Sequence, residues 1–184
     1  MIETARLALR PPQRDDLTFI QDEMNTPAVM TYLGGRLVDA SLAEQALEED
    51  IAAFAGGGYR RWTIWRREDH RRIGRCGLFT VRSEAAPEAI RGQVEIGWTL
   101  AQPYWGHGYA SEAASGVLDL AFGEVGTGVV WAETSDSNQP STRLMHRLGF
   151  ERTPQYDFHD PEYPARDNPT TIWRMKAARW RARG

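Results

Sequence analysis

Two glycines one residue apart, in the run Tyr104-Trp105-Gly106-His107-Gly108-Tyr109-Ala110-Ser111-Glu112-Ala113, are the residues of this chain best suited to chemistry. A glycine pair entering a helix presents backbone N–H groups that the first helical turn leaves unpaired, at the positive end of the helix dipole. Missing Cβ atoms let a diphosphate approach the main chain. The residues alone offer two readings: an anion site held by backbone, or a plain turn that needs positive φ. The run matches neither better-known phosphate signature, because it lacks Gly-x-Gly-x-x-Gly after a first parallel strand and lacks Gly-Lys-Ser/Thr. Asn138, just before Pro140, suits a helix N-cap, and Ser141 falls in the first turn behind it. The single cysteine, Cys76, rules out a disulfide framework and a cysteine-based metal site, and in a strand it reads as a buried, inert thiol. No metal centre is expected.

The elements around these residues can be read from periodicity. Residues 6–10 alternate as a first strand, ended by Pro11-Pro12. Asp15 or Asp16 opens a helix to about Asn25, with Leu17, Ile20 and Met24 on one face. Ser41-Leu42-Ala43-Glu44 reads as a capping box before a stripe of Ala43, Ala46, Leu47, Ile51 and Phe54, stopped by Gly56-Gly57-Gly58. Strands follow at 59–66, 72–81 and 92–100. The glycine turn then leads into a helix over 108–122, with Ala110, Ala113, Ala114, Val117, Leu118, Ala121 and Phe122 at helical steps. A strand at 128–134, a helix at 140–148 stopped by Gly149, and strands at 150–158 and 170–176 complete the chain. Consecutive strands without helices imply hairpins, and the strand-helix-strand unit over 92–134 implies one parallel pair. The expectation is an α/β (α+β) fold: a mixed, mostly antiparallel sheet of about seven strands with a parallel central pair and about four helices. With 184 residues, 41% of them hydrophobic, the chain suits one domain, 1–184, with its core over about 5–177. A net charge of −3 and the absence of a long apolar run or a leader pattern at Met1-Ile2-Glu3-Thr4 speak against nucleic-acid and membrane partners and for a cytoplasmic location.

Three blocks resemble the GNAT superfamily of acyl-CoA-dependent N-acyltransferases, over nearly the whole chain. They are Arg6-Leu7-Ala8-Leu9-Arg10-Pro11 followed by Asp16-Leu17; Glu95-Ile96-Gly97-Trp98 followed by the glycine run; and Asn138, Ser141 and Leu148-Gly149-Phe150. Within the superfamily they are similar to the ribosomal-protein N-terminal acetyltransferase branch (RimJ/RimL type). The superfamily's loop usually carries Gln or Arg where Pro103 stands here, so one side chain and one backbone donor are missing.

The resemblance implies acetyl-CoA as acyl donor, with the pyrophosphate on the amides from Trp105 through Gly106, His107, Gly108 and Tyr109 to Ala110. It implies that backbone groups near Trp98 to Leu100 polarise the thioester, that Asn138 contacts the pantetheine arm, and that Ser141 hydrogen-bonds the leaving thiolate. Much of the superfamily uses a tyrosine seven residues after the Asn; here that position is Met145, which donates no proton. Glu95 is the expected general base, since on a strand it shares a face with Gly97 and desolvation would raise its pKa. Glu133 is its rival, and ordered water a third possibility. The expected reaction is direct acetyl transfer to a primary amine, either a protein or peptide N-terminus or a small amine. A larger acyl group such as succinyl, or an acyl-CoA sensor without turnover, are the alternatives. The acidic run Asp157, Asp160, Glu162 and Asp167 reads as a solvated loop or as a steering surface for a cationic amine, the tryptophans read as core, the basic 176–183 segment reads as frayed, and a homodimer is plausible by resemblance.

Overall fold

A computed structural model describes residues 1–183. The chain enters through two short strands, β1 (Ile2–Glu3) and β2 (Leu7–Arg10). Next come helix α1 (Asp16–Phe19), which passes directly into a π-helical turn (Ile20–Met24), and α2 (Pro27–Met30). One regular helix was expected over this stretch; the chain instead makes a π segment ending at Asn25, and such segments recur at functional sites. Helix α3 (Ala40–Ala55) begins at Asp39, so Ser41 lies inside the helix and the expected capping box does not form.

Strands β3 (Arg61–Arg66), β4 (Arg71–Thr80) and β5 (Val94–Leu100) follow. Helix α4 (Tyr109–Gly123), β6 (Val129–Ser135) and α5 (Gln139–Leu148) form the next unit, with Gly149 in a left-handed conformation ending α5. The expected strand over 150–158 shrinks to β7 (Glu151–Arg152), because Pro154 turns the chain into a 3-10 turn. Strand β8 (Thr170–Lys176) leads into α6 (Ala177–Arg181). The 176–183 segment is therefore ordered, and Trp180 donates to Asp119 at 2.7 Å.

The eight strands form one sheet in the order β1-β2-β3-β4-β5-β6-β8-β7. Every pairing is antiparallel except β5 with β6. The mixed sheet with one parallel pair is as expected, with one strand more than the sequence reading gave. Cys76, Leu78 and Ile96 share one core cluster with Ala113, Ala114, Val117 and Leu118 of α4, whose small residues let the helix lie close to the sheet. The other face carries polar anchors to α1 and α3. Asp16 accepts from Thr63 at 2.6 Å, and the fully buried Asp50 meets Arg60, Arg61 and Arg75. Among the described residues no helix is long and apolar enough to cross a membrane.

Candidate active site

The parallel neighbours β5 and β6 meet in one register pair, Glu95 with Trp131. Beyond it β5 stays paired to β4 as far as Leu100, and β6 stays paired to β8 as far as Ser135. Each strand thus leans toward its outer partner, and a gap opens between them. A cleft with two lobes, of about 440 and 460 Å³, occupies that gap. Trp98, Thr99, Asn138 and Ser141 line both lobes.

The first lobe is built on the glycine turn. Gly106 and Gly108 have φ of 79° and 80°, a left-handed conformation that side-chain-bearing residues resist, and Gly108 is the N-cap of α4. No side chain caps this helix, and among the described residues the amides of Gly106 to Ser111 have no protein acceptor. Gly106, Gly108, Tyr109, Ala110 and Ser111 line the lobe, so these unpaired donors border an open space. The Trp105 amide is excluded from the set, because it returns to the Gln102 carbonyl at 3.2 Å. The Trp105 indole donates to the Leu100 carbonyl at 2.8 Å, which occupies that group as well.

The turn is held from outside by the N-terminal strands. Arg6 Nη1 donates to the His107 carbonyl at 3.0 Å and Arg6 Nε to Glu112 at 2.6 Å. Glu112 also accepts from Thr4 Oγ1 and from the Arg6 amide. Partial burial opposes the charge on Glu112, but these hydrogen bonds outweigh it and hold the carboxyl below its usual range. The Arg6 guanidinium lies 4.6 Å from the Tyr109 ring, which stacks on the His107 ring. His107 therefore supports the turn, and its side chain does not line either lobe. Arg143 and Arg147 do line the first lobe. Their spacing of four, which puts both on one face of α5, is legible in the sequence, although the candidate site residues above do not include them.

Asn138 caps α5, its Oδ1 accepting from the Ser141 amide at 3.2 Å, and it also borders the cleft. Ser141 lies where the lobes meet. Met145 is fully buried on the wall of the second lobe.

The second lobe is lined by Ile20 and Met24 of the π turn, by Trp98 and Phe79, and by charged residues of both signs. Glu133 is on its wall, with Oε1 buried and unpaired. Burial pushes the Glu133 carboxyl up to about 8, and the charges of Glu95 and Asp160 push the same way. Burial likewise pushes Glu95 up to about 7, against the opposing charge of Arg82. Glu95 pairs in register with Phe79 and Trp131 and does not itself line the cleft. The late-loop acids are not a solvated cluster: Asp160 and Asp167 are buried, and Asp157 is tied to Arg152. Of the tryptophans, Trp62 and Trp131 are buried and Trp105 is 44% exposed, so the core reading fails for Trp105. Cys76 is buried in β4, and burial pushes its thiol well up, as an inert thiol requires.

The cleft thus joins a turn of unpaired backbone amides to a cavity with a carboxylate of raised pKa, with a serine hydroxyl between them. The chain also resembles known proteins. The acetyltransferase (GNAT) domain model matches residues 6–151. The uncharacterized N-acetyltransferase p20 of Bacillus licheniformis is 28% identical over 81% of both chains. The protein YkkB of Bacillus subtilis (strain 168) is 32% identical over 80% of this chain and 83% of its own. The crystal structure of an acetyltransferase from Agrobacterium tumefaciens superposes with a TM-score of 0.76 at 28% identity, over 95% of this chain and 92% of that one.

Proposed function

The chain belongs to the acetyltransferase (GNAT) family, and from that premise we propose that it carries the acetyl group of acetyl-CoA directly onto a primary amine held in the second lobe. The enzyme is an acyltransferase, and the amine is the part the cleft itself must select. The donor fits the residues present. The unpaired amides of the Gly106–Ser111 turn, with Arg143 and Arg147 on the same lobe, suit a pyrophosphate. The gap between β5 and β6 suits the pantetheine arm, along Trp98, Thr99 and Asn138. When bound, acetyl-CoA supplies an acetyl group activated as a thioester.

The chain's own residues do the rest. Glu133 accepts the proton of the incoming ammonium, because its carboxyl faces the lobe unpaired and its raised pKa matches a base working near neutrality. Glu95 stands behind it and makes it a better base by adding negative charge. The exposed backbone of β5 beyond Glu95 orients the donor, and the Ser141 hydroxyl offers a proton at the sulfur end. The observation that carries this reading is the unpaired Glu133 carboxylate on a cavity whose other lobe is a backbone anion site. Within the family, the opening strand and the glycine run favour the RimJ/RimL-type branch.

Thiol release from acetyl-CoA across a panel of amines tests the proposal. Glu133→Gln should lower kcat by about 100-fold or more, with the KM for acetyl-CoA little changed. The wild-type rate should fall as pH drops through about 8, where Glu133 takes up its proton. A variant with the wild-type rate across pH would remove Glu133 as the base, and the same measurement on Glu95→Gln would identify its replacement.

A further inference from the structure

Four buried side-chain polar atoms lack a hydrogen-bond partner among the described residues: Arg60 Nε, Arg75 Nε, Glu133 Oε1 and Asp167 Oδ2. Three of these belong to residues that line the second lobe. Buried polar groups in folded proteins are almost always paired, so three exceptions around one cavity call for a ligand that pairs them. They are of opposite sign and on opposite sides. Arg75 belongs to β4 beside Thr99, while Glu133 belongs to β6 across the gap. Asp167 is held by Ser137, which donates to Oδ1 at 2.6 Å, and this leaves Oδ2 free of hydrogen bonds. Arg166 Nε is 3.6 Å from Oδ2, on a side chain that is 64% exposed.

The cationic side is under-neutralised. Arg60, Arg61 and Arg75 converge on one carboxylate, Asp50, with Glu49 reaching Arg60 at 3.9 Å and Asp16 committed to Thr63 and Arg72. Arg75 is 8% exposed, and burial together with the charge of Arg61 lowers its pKa to about 10 despite Asp50. A second anion beside Arg75 and Arg61 would restore the balance. The anionic side, with Glu133, Asp167, Glu95 behind them and the Tyr163 phenol, has the opposite need.

We propose that the acceptor is a small zwitterion, a primary amine that also carries a carboxylate or phosphate, with its ammonium toward Glu133 and Asp167 and its anionic group toward Arg75 and Arg61. This rests on the amine-acceptor reading above and names its substrate class. A cavity polarised in this way orients the acceptor end to end and presents the nitrogen to Ser141 and the donor lobe. It also discriminates, since an amine lacking the anion leaves Arg75 Nε buried without a hydrogen bond.

The test is titration calorimetry and thiol release with matched probes on the whole protein. β-Alanine, leucine and phosphoethanolamine are compared with ethylamine, isopentylamine and ethanolamine, and the two amino acids also with their methyl esters. At least one probe that carries the anionic group should bind, and turn over, roughly tenfold or more better than its counterpart lacking that group. That preference should vanish in Arg61→Gln and in Arg75→Gln. Arg61 is partly exposed, so Arg61→Gln keeps the test decisive if Arg75→Gln does not fold. Amines lacking the anionic group binding as well as the zwitterions, or no zwitterionic probe binding at all, overturns the inference and leaves acetyl transfer standing. Failure of acetyl-CoA to bind the same protein is read in a separate titration and overturns the transferase reading instead.

Discussion

Glu133, the base proposed above, carries a tuning that comes at a cost in stability. Its folded-state carboxyl is raised from the ordinary 4.5 to about 8, mainly by burial. The folded protein therefore holds a proton through a pH range in which the unfolded chain has lost it. The sign follows: the group's contribution is intact below about 4.5 and is lost progressively as pH rises through about 8. Glu133→Gln removes the carboxylate and keeps the shape. It should therefore be more stable than the wild type above that window, on the order of 1 kcal/mol, with a flatter dependence of stability on pH. Urea unfolding below and above the window measures this. A variant less stable than wild type at high pH would show that Glu133 has a partner in the folded protein. A change that stabilises the fold and abolishes turnover marks a residue kept for function.

At the scale of elements, the strand-turn-helix unit β5–α4 makes the lobe proposed for the donor, and its geometry depends on backbone conformation more than on side chains. Gly106 has open space where a Cβ would stand, and at Gly108 the nearest atom, Arg6 Nη2, is 3.5 Å away. Crowding is therefore not the reason for glycine; the left-handed φ is. Gly108→Val should strain the N-cap of α4 by about 1–3 kcal/mol and pull the turn amides out of line, weakening acetyl-CoA binding more than tenfold in a protein that still folds. Calorimetry with acetyl-CoA, alongside circular dichroism, checks it. Unchanged affinity would remove the turn from the donor site. The clamp of Arg6 and Glu112 belongs to the same scale, because it ties this turn to the first strands of the chain.

For the whole molecule, a donor spanning β5, α4 and α5 would add to the packing that α4 already makes with β5 and α5. Acetyl-CoA at about 100 times its Kd should stabilise the protein by roughly 2.7 kcal/mol, a rise in Tm of about 5–10 °C for a chain of this size. No shift would sink the donor assignment. The sequence by itself determined the elements that rest on local rules: the 3.6-residue stripe of α4, the alternating strands, the glycine turn, and the caps at Asn138 and Gly149. It failed where local signals compete, as in the π turn at Ile20–Met24 and in the shortened β7 after Phe150. Three outcomes came from the tertiary structure alone: Glu133, not Glu95, lines the cleft; Asp160 and Asp167 of the late loop are buried; and Arg75 and Asp167 line one cavity. The physical reason is register. Which strand residues share a cavity depends on pairings between segments tens of residues apart, and a shift of one residue turns every side chain to the other face. The periodicity of a single segment carries no record of that choice.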